Sequence, residues 1–177
     1  DRSKGPSAGQ ITYGVPIGPV TIVAQYAKEG ENSLNATNSY YGVNTTDRDY
    51  DSYRVGAIYN FNTARAKGEV GALLLYNRDA ENRNLTNSMF PGLDFGYLTE
   101  VYKVIPYFKA KVGPVDIQGE LEYTFGDAIK GETSALAAAG QPDMDIDAWS
   151  VFLDATANFG RFYAGGSFVY LSGDDPG

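Results

Sequence analysis

The sequence predicts an all-β fold of eight antiparallel strands in up-and-down order, and three observations carry that prediction. Apolar and polar residues alternate with a period of 2 through eight segments of strand length. The links between those segments alternate short and long. No stretch keeps a helical period; the most helix-friendly run, Ser134 to Gly140, is mostly alanine and too short to stand alone. At 177 residues the chain has the length of one domain.

Each segment has its own justification. The first, Gln10–Val15, sets Ile11, Tyr13 and Val15 against Gln10, Thr12 and Gly14, and the second, Val20–Lys28, sets Ile22, Ala24 and Tyr26 against Thr21, Val23, Gln25 and Ala27, where only Thr21 and Gln25 are polar. The link between them is read as Pro16-Ile17-Gly18-Pro19. On the third, Ser52–Asn62, Tyr53, Val55, Ala57, Tyr59 and Phe61 oppose Ser52, Arg54, Gly56, Ile58 and Asn60. A link at Thr63 to Ala66 leads to the fourth, Lys67–Asn77, with Ala72, Leu74 and Tyr76 on one side and Glu69 on the other.

The fifth segment, Val101–Val112, carries Tyr102, Val104 and Phe108 opposite Lys103, Lys109 and Lys111. Pro106 on its apolar side costs one ladder hydrogen bond wherever the strand lies. Gly113-Pro114 turns the chain into the sixth, Val115–Gly126, where Ile117, Leu121, Tyr123 and Phe125 oppose Asp116, Gln118, Glu120, Glu122 and Thr124. The seventh, Ala148–Phe159, sets Trp149, Val151, Leu153 and Phe159 against Ser150, Asp154 and Asn158. Gly160-Arg161 then joins it to the eighth, Phe162–Ser172. Glycine in three of the four short links fits hairpin turns that need positive φ. The remaining links, Glu29 to Asp51, Arg78 to Glu100 and Asp127 to Asp147, are long and rich in polar residues.

Short turns at one end and long loops at the other are the plan of a transmembrane β-barrel. A lipocalin-type barrel would alternate equally well with its apolar face inside, so the aromatic residues decide between them. Tyr26, Tyr53, Tyr76, Tyr102, Tyr123, Trp149 and Tyr170 stand at the loop-side end of the apolar face, one per strand from the second to the eighth. Tyr59, Phe61, Phe108, Phe159 and Phe162 stand near the turns, and small or aliphatic residues fill the band between. Two aromatic belts around an aliphatic band suit the two interfaces of a bilayer better than the core of a β-sandwich.

Composition removes other classes. Lys and Arg total 14 against 22 Asp and Glu, a formal charge of −8 that opposes nucleic-acid binding. The absence of Cys and His removes disulfides, thiolate metal sites and imidazole catalysis. Glu120 and Glu122 share a face at a spacing glycosidases use, but no partner motif accompanies them, and no enzyme activity is expected. The alternating Asp47, Asp49 and Asp51, and Asp143, Asp145 and Asp147, offer oxygen ligands without the glycine and distal glutamate of an EF-hand. They read as solvated loop ends, so neither metal nor cofactor is expected. Asn35, Asn44 and Asn84 begin triplets of the glycosylation pattern that arise readily in Asn/Thr-rich loops.

With belts, turns such as Val112-Gly113-Pro114-Val115, and a last strand running through Phe168-Val169-Tyr170-Leu171 into Ser172-Gly173-Asp174, the chain resembles a bacterial outer-membrane porin-like barrel. The resemblance implies an outer-membrane location, contact with lipid and lipopolysaccharide, and a channel for ions and small hydrophilic solutes. It also implies that Arg54, Glu69, Lys103, Lys109, Lys111, Asp116, Glu120, Glu122 and Asp154 line the pore. Two departures stand out. The chain closes on Asp175-Pro176-Gly177 instead of an aromatic-ended strand, and its first link is short where the family has a long outer loop. A segment of a larger barrel, completed by the rest of that barrel or by a homo-oligomer, is the expected arrangement. A closed barrel acting through its loops, or a sheath around a partner protein, is the alternative.

Overall fold

The computed structural model describes residues 9–30, 49–83, 96–131 and 143–173. They form eight strands: β1 (Gly9–Ile17), β2 (Val20–Gly30), β3 (Tyr50–Asn62), β4 (Ala66–Asp79), β5 (Tyr97–Val112), β6 (Val115–Gly131), β7 (Met144–Phe159) and β8 (Phe162–Leu171). All lie in one antiparallel sheet in sequence order. The eight strands do not close into a barrel. β1 and β8 stand at opposite edges, and no ladder joins Ile11–Tyr13 to Phe168–Tyr170.

Local chemistry explains the turns. Gly18, Gly113 and Gly160 have φ of 60°, 59° and 65° and open two-residue hairpins. Glycine at the first turn position, followed by Pro19, Pro114 or Arg161, matches the twist of the flanking strands. The first link is therefore shorter than the expected Pro16 to Pro19: Ile17 pairs with Val20 and only Gly18 and Pro19 turn. Pro16 is tolerated inside β1 because, two positions from the turn, its missing N–H points to the open edge and not to β2. In the β3–β4 link, which lacks glycine, the Thr63 hydroxyl oxygen accepts from the Ala66 N–H at 3.1 Å while the Thr63 N–H donates to the Ala66 carbonyl at 2.8 Å.

At the loop side the strands run further than their alternation indicates. β5 starts at Tyr97, β6 continues to Gly131 and β7 starts at Met144. Register shifts fall there too, at Lys28/Gly30, Leu98/Glu100 and Asp127/Ile129, as bulges tend to at a rim. The segment Ser134 to Gly140, Asp47, and the triplets beginning at Asn35, Asn44 and Asn84 lie outside the described residues.

Pro106 has a visible consequence. Counting from the Val112–Val115 pair that closes the β5–β6 hairpin, its nitrogen falls where an N–H should reach β6. The ladder accordingly lapses between the pairs Val104–Tyr123 and Tyr107–Glu120, while Pro106 still pairs with Ala72 on β4. Pro106→Ala should close the lapse and add about 0.5–1.5 kcal/mol. Amide exchange checks this: the backbone N–H gained by the substitution should be protected, and fast exchange there would show that the lapse has another cause.

The sheet has almost no core. Among the described residues the buried apolar side chains are Ala27, Ala80 and Leu98 alone. A soluble domain of this length removes most of its apolar surface from water. Here Val55, Leu74, Leu121, Leu153 and Phe168 all remain exposed on one face of a single layer.

Candidate functional site: the two faces of the sheet

Register across the sheet sorts the side chains into rungs, and the apolar face changes character rung by rung. One rung carries Lys28, Asp51, Arg78, Glu100, Asp127 and Asp145 across β2–β7, every member charged. The next rung towards the turns is Tyr26, Tyr53, Tyr76, Tyr102 and Phe125, ending at Asp147. Below it come Ala24, Val55, Leu74, Val104, Tyr123 and Trp149. From there to the turns this face holds no charged residue among the described strands.

The aromatic rings touch in sequence. Centroids are 5.1 Å apart for Tyr26–Tyr53, 6.0 Å for Tyr53–Tyr76, 4.8 Å for Tyr76–Tyr102 and 5.4 Å for Tyr102–Phe125. Tyr123 joins through Phe125 at 5.2 Å, and Trp149 contacts Tyr170 at 4.7 Å. All seven expected belt residues thus belong to two runs of ring contacts. The hydroxyls point to the charged rim: Tyr26 donates to Asp51 Oδ1 and Tyr76 to Glu100 Oε1, both at 2.7 Å, and Tyr123 bonds Asp147. Tyr26, Tyr76 and Tyr123 therefore each keep an apolar ring on the band below and hand the hydroxyl to a carboxylate towards the loops.

Glu100, beyond the tyrosine rung, shows the electrostatics of that rim. The Lys130 ammonium, 2.9 Å away, and then the Tyr76 hydroxyl hold its carboxyl below the usual glutamate range. A lowered folded value means stability present above the unfolded value and lost as pH falls through the folded one. Lys130→Gln should move the Glu100 titration back up, as read by its carboxyl carbon resonance. An unmoved titration would assign the shift to Tyr76.

The opposite face carries the expected wall charges, and the structure brings most of them together in pairs. Lys103 Nζ meets Glu122 Oε1 at 2.6 Å, and Lys111 Nζ meets Asp116 at 2.9 Å. Glu122 also accepts from the Thr124 hydroxyl, and Asp116 from Asn158. Lys109 lies 3.9 Å from Glu69 and over the Tyr107 ring. Arg54 donates to Gln25 and to Glu29 at 3.2 Å, and Asp154 accepts from Ser167 at 2.6 Å. Glu120 stands across from Tyr107 and Phe152, so the two wall glutamates have different surroundings.

Near the turns this face forms an open concavity of ≈ 710 Å³, lined by Lys67, Glu69, Lys109, Lys111, Asp116 and Asp154 among others. Lys67 was not singled out by the sequence, and it stands directly opposite Lys111. Among the described residues no group of three or more acidic side chains is placed to hold a metal ion.

Comparison with protein-family models, curated proteins and solved structures finds no match. The geometry of the two faces is therefore the basis for any functional reading. No helix of the described chain is long and apolar enough to cross a membrane.

Proposed function

We propose that this chain is a wall of an outer-membrane β-barrel channel for ions and small hydrophilic solutes. The observation that carries the reading is the asymmetry of a single-layer sheet. One face is uncharged from the rung just below its tyrosines to its turns and capped by a fully charged rung, while the other holds ion pairs and a polar concavity. Water on both faces would leave the apolar one without a partner, and a bilayer supplies one. The polar face then borders an aqueous lumen, where paired charges set a transverse field.

Trp149, the only tryptophan, stands on the apolar face beside Tyr170 and reports on the lipid directly. After reconstitution its emission should be quenched by brominated acyl chains, and a wet, unquenched Trp149 would exclude the bilayer. Conductance across a planar bilayer tests the lumen. Neutralising Lys103, Lys109 and Lys111 together should shift the reversal potential towards cation preference, more strongly at low salt. The tight Lys103–Glu122 and Lys111–Asp116 pairs favour a second reading, a self-neutralised and closed wall acting through its loops. Lipid quenching without conductance would select it.

A further inference from the structure

The lysines at the turn-side end of the polar face are arranged against their own electrostatics. Lys67 on β4 and Lys111 on β5 are direct cross-strand partners on one face, a like-charge placement that disfavours pairing of the strands. Lys109, two residues along β5, lies diagonal to Lys67 on the same face. Two carboxylate oxygens of Asp116 bind Lys111 at 2.9 and 3.0 Å. Lys67 forms no ion pair among the described residues, and Lys109 has only Glu69 at 3.9 Å, with nearly two-thirds of its side chain exposed. All three open onto the concavity of ≈ 710 Å³.

We infer that Lys67 and Lys109 form a binding station for a small oxyanion, a phosphate or carboxylate group held between the two ammonium groups. Cross-strand pairs flank the station with amides, Asn60 opposite Glu69 and Gln118 opposite Lys109, and both amides line the same concavity. An oxyanion there accepts from the two ammonium donors, and it offsets the Lys67–Lys111 repulsion. Glu69, on β4 and 3.9 Å from Lys109, opposes the anion locally but is outnumbered there by Lys67 and Lys109, while Asp116 and Asp154 on the β6–β7 side repel it from the rest of the concavity. The inference deepens the channel reading and rests on it, since the polar face must border water for a solute to arrive.

The test is a titration of the detergent-folded protein with inorganic phosphate, and separately with succinate, at constant ionic strength. Lysine ε-carbon resonances are the readout. Phosphate should saturate shifts at Lys67 and Lys109. Lys67→Gln should weaken binding about threefold to fivefold, the size of one solvent-accessible charge pair, and Lys67→Arg should retain it. Lys28→Gln, at the loop-side rim of the other face, serves as the control and should leave the titration unchanged. Shifts that follow ionic strength alone, or an unaltered titration in Lys67→Gln, would overturn the station. Phosphate binding without conductance would instead overturn the channel and leave the station standing. Conductance with no phosphate-specific shift would do the reverse.

Discussion

Arginine at Leu121 or Leu74 should cost about 2–4 kcal/mol of folding stability in a bilayer, while arginine at Gln118 should be mild. Leu121 and Gln118 share β6 and Leu74 lies on β4 of the same sheet, all inside regular strands, so backbone propensity does not separate them. What separates them is the face. Leu74 pairs with Val55 and Val104, and Leu121 with Val151, in the uncharged band below the tyrosine rung. Gln118 pairs with Lys109 and Asp154 on the polar side. Chemical denaturation from vesicles gives the three values on one scale. Equal costs at the two faces would remove the lipid from the argument, because water treats an added guanidinium alike on either side.

Proline placed on the two free edges should be the second large effect. Counting from the Ile17–Val20 and Phe159–Phe162 pairs that close their hairpins, the N–H groups of Gly14 and Val169 point away from the sheet. In water an edge N–H is satisfied by solvent, and its loss costs little. In hydrocarbon each unsatisfied backbone group costs several kcal/mol, so an inserted sheet must pair both edges with further strands. Gly14→Pro and Val169→Pro should then destabilise the reconstituted protein by several kcal/mol, as should Phe168→Pro, which breaks the existing ladder to β7. Outward prolines that leave stability in lipid unchanged would mean that these edges meet no partner there.

What the sequence revealed and what it hid divide along the lengths of the links. Gly113-Pro114 fixes the register of β5 and β6 within two residues, so the pairings of Lys111 with Asp116 and Lys109 with Gln118, and the diagonal Lys103–Glu122 contact, are legible from the residues alone. No such clamp relates β4 to β5. The long connection leaves their register free, and the Lys67–Lys111 pairing becomes visible only when it is set. The Tyr26–Asp51, Tyr76–Glu100 and Tyr123–Asp147 bonds were hidden for the same reason, since each spans a long connection. The loop-side ends were also under-read. At Glu100 and Asp127 the otherwise apolar face turns charged, and alternation loses its contrast although the backbone stays in the ladder. Barrel closure does not follow from any of these local signals. The period of 2 specifies that neighbours pair, not what lies beyond the last of them.

The slant of the aromatic band has a geometric consequence. Tyr26 through Phe125 share a rung that ends on β7 at Asp147, yet Tyr170 on β8 faces Val151, and 151 − 147 makes the band four residues lower there. At about 3.3 Å per residue that drop is about 13 Å, across six strand spacings of about 4.8 Å, or about 29 Å. A membrane surface drawn through Tyr26 and Tyr170 then inclines the strands by about 25° from its normal, less than the roughly 35–45° of most such barrels. Each strand would then take up about 5.3 Å of circumference instead of about 6.3 Å at 40°, the spacing divided by the cosine of the inclination. A barrel wall built from this sheet would be narrower for a given number of strands.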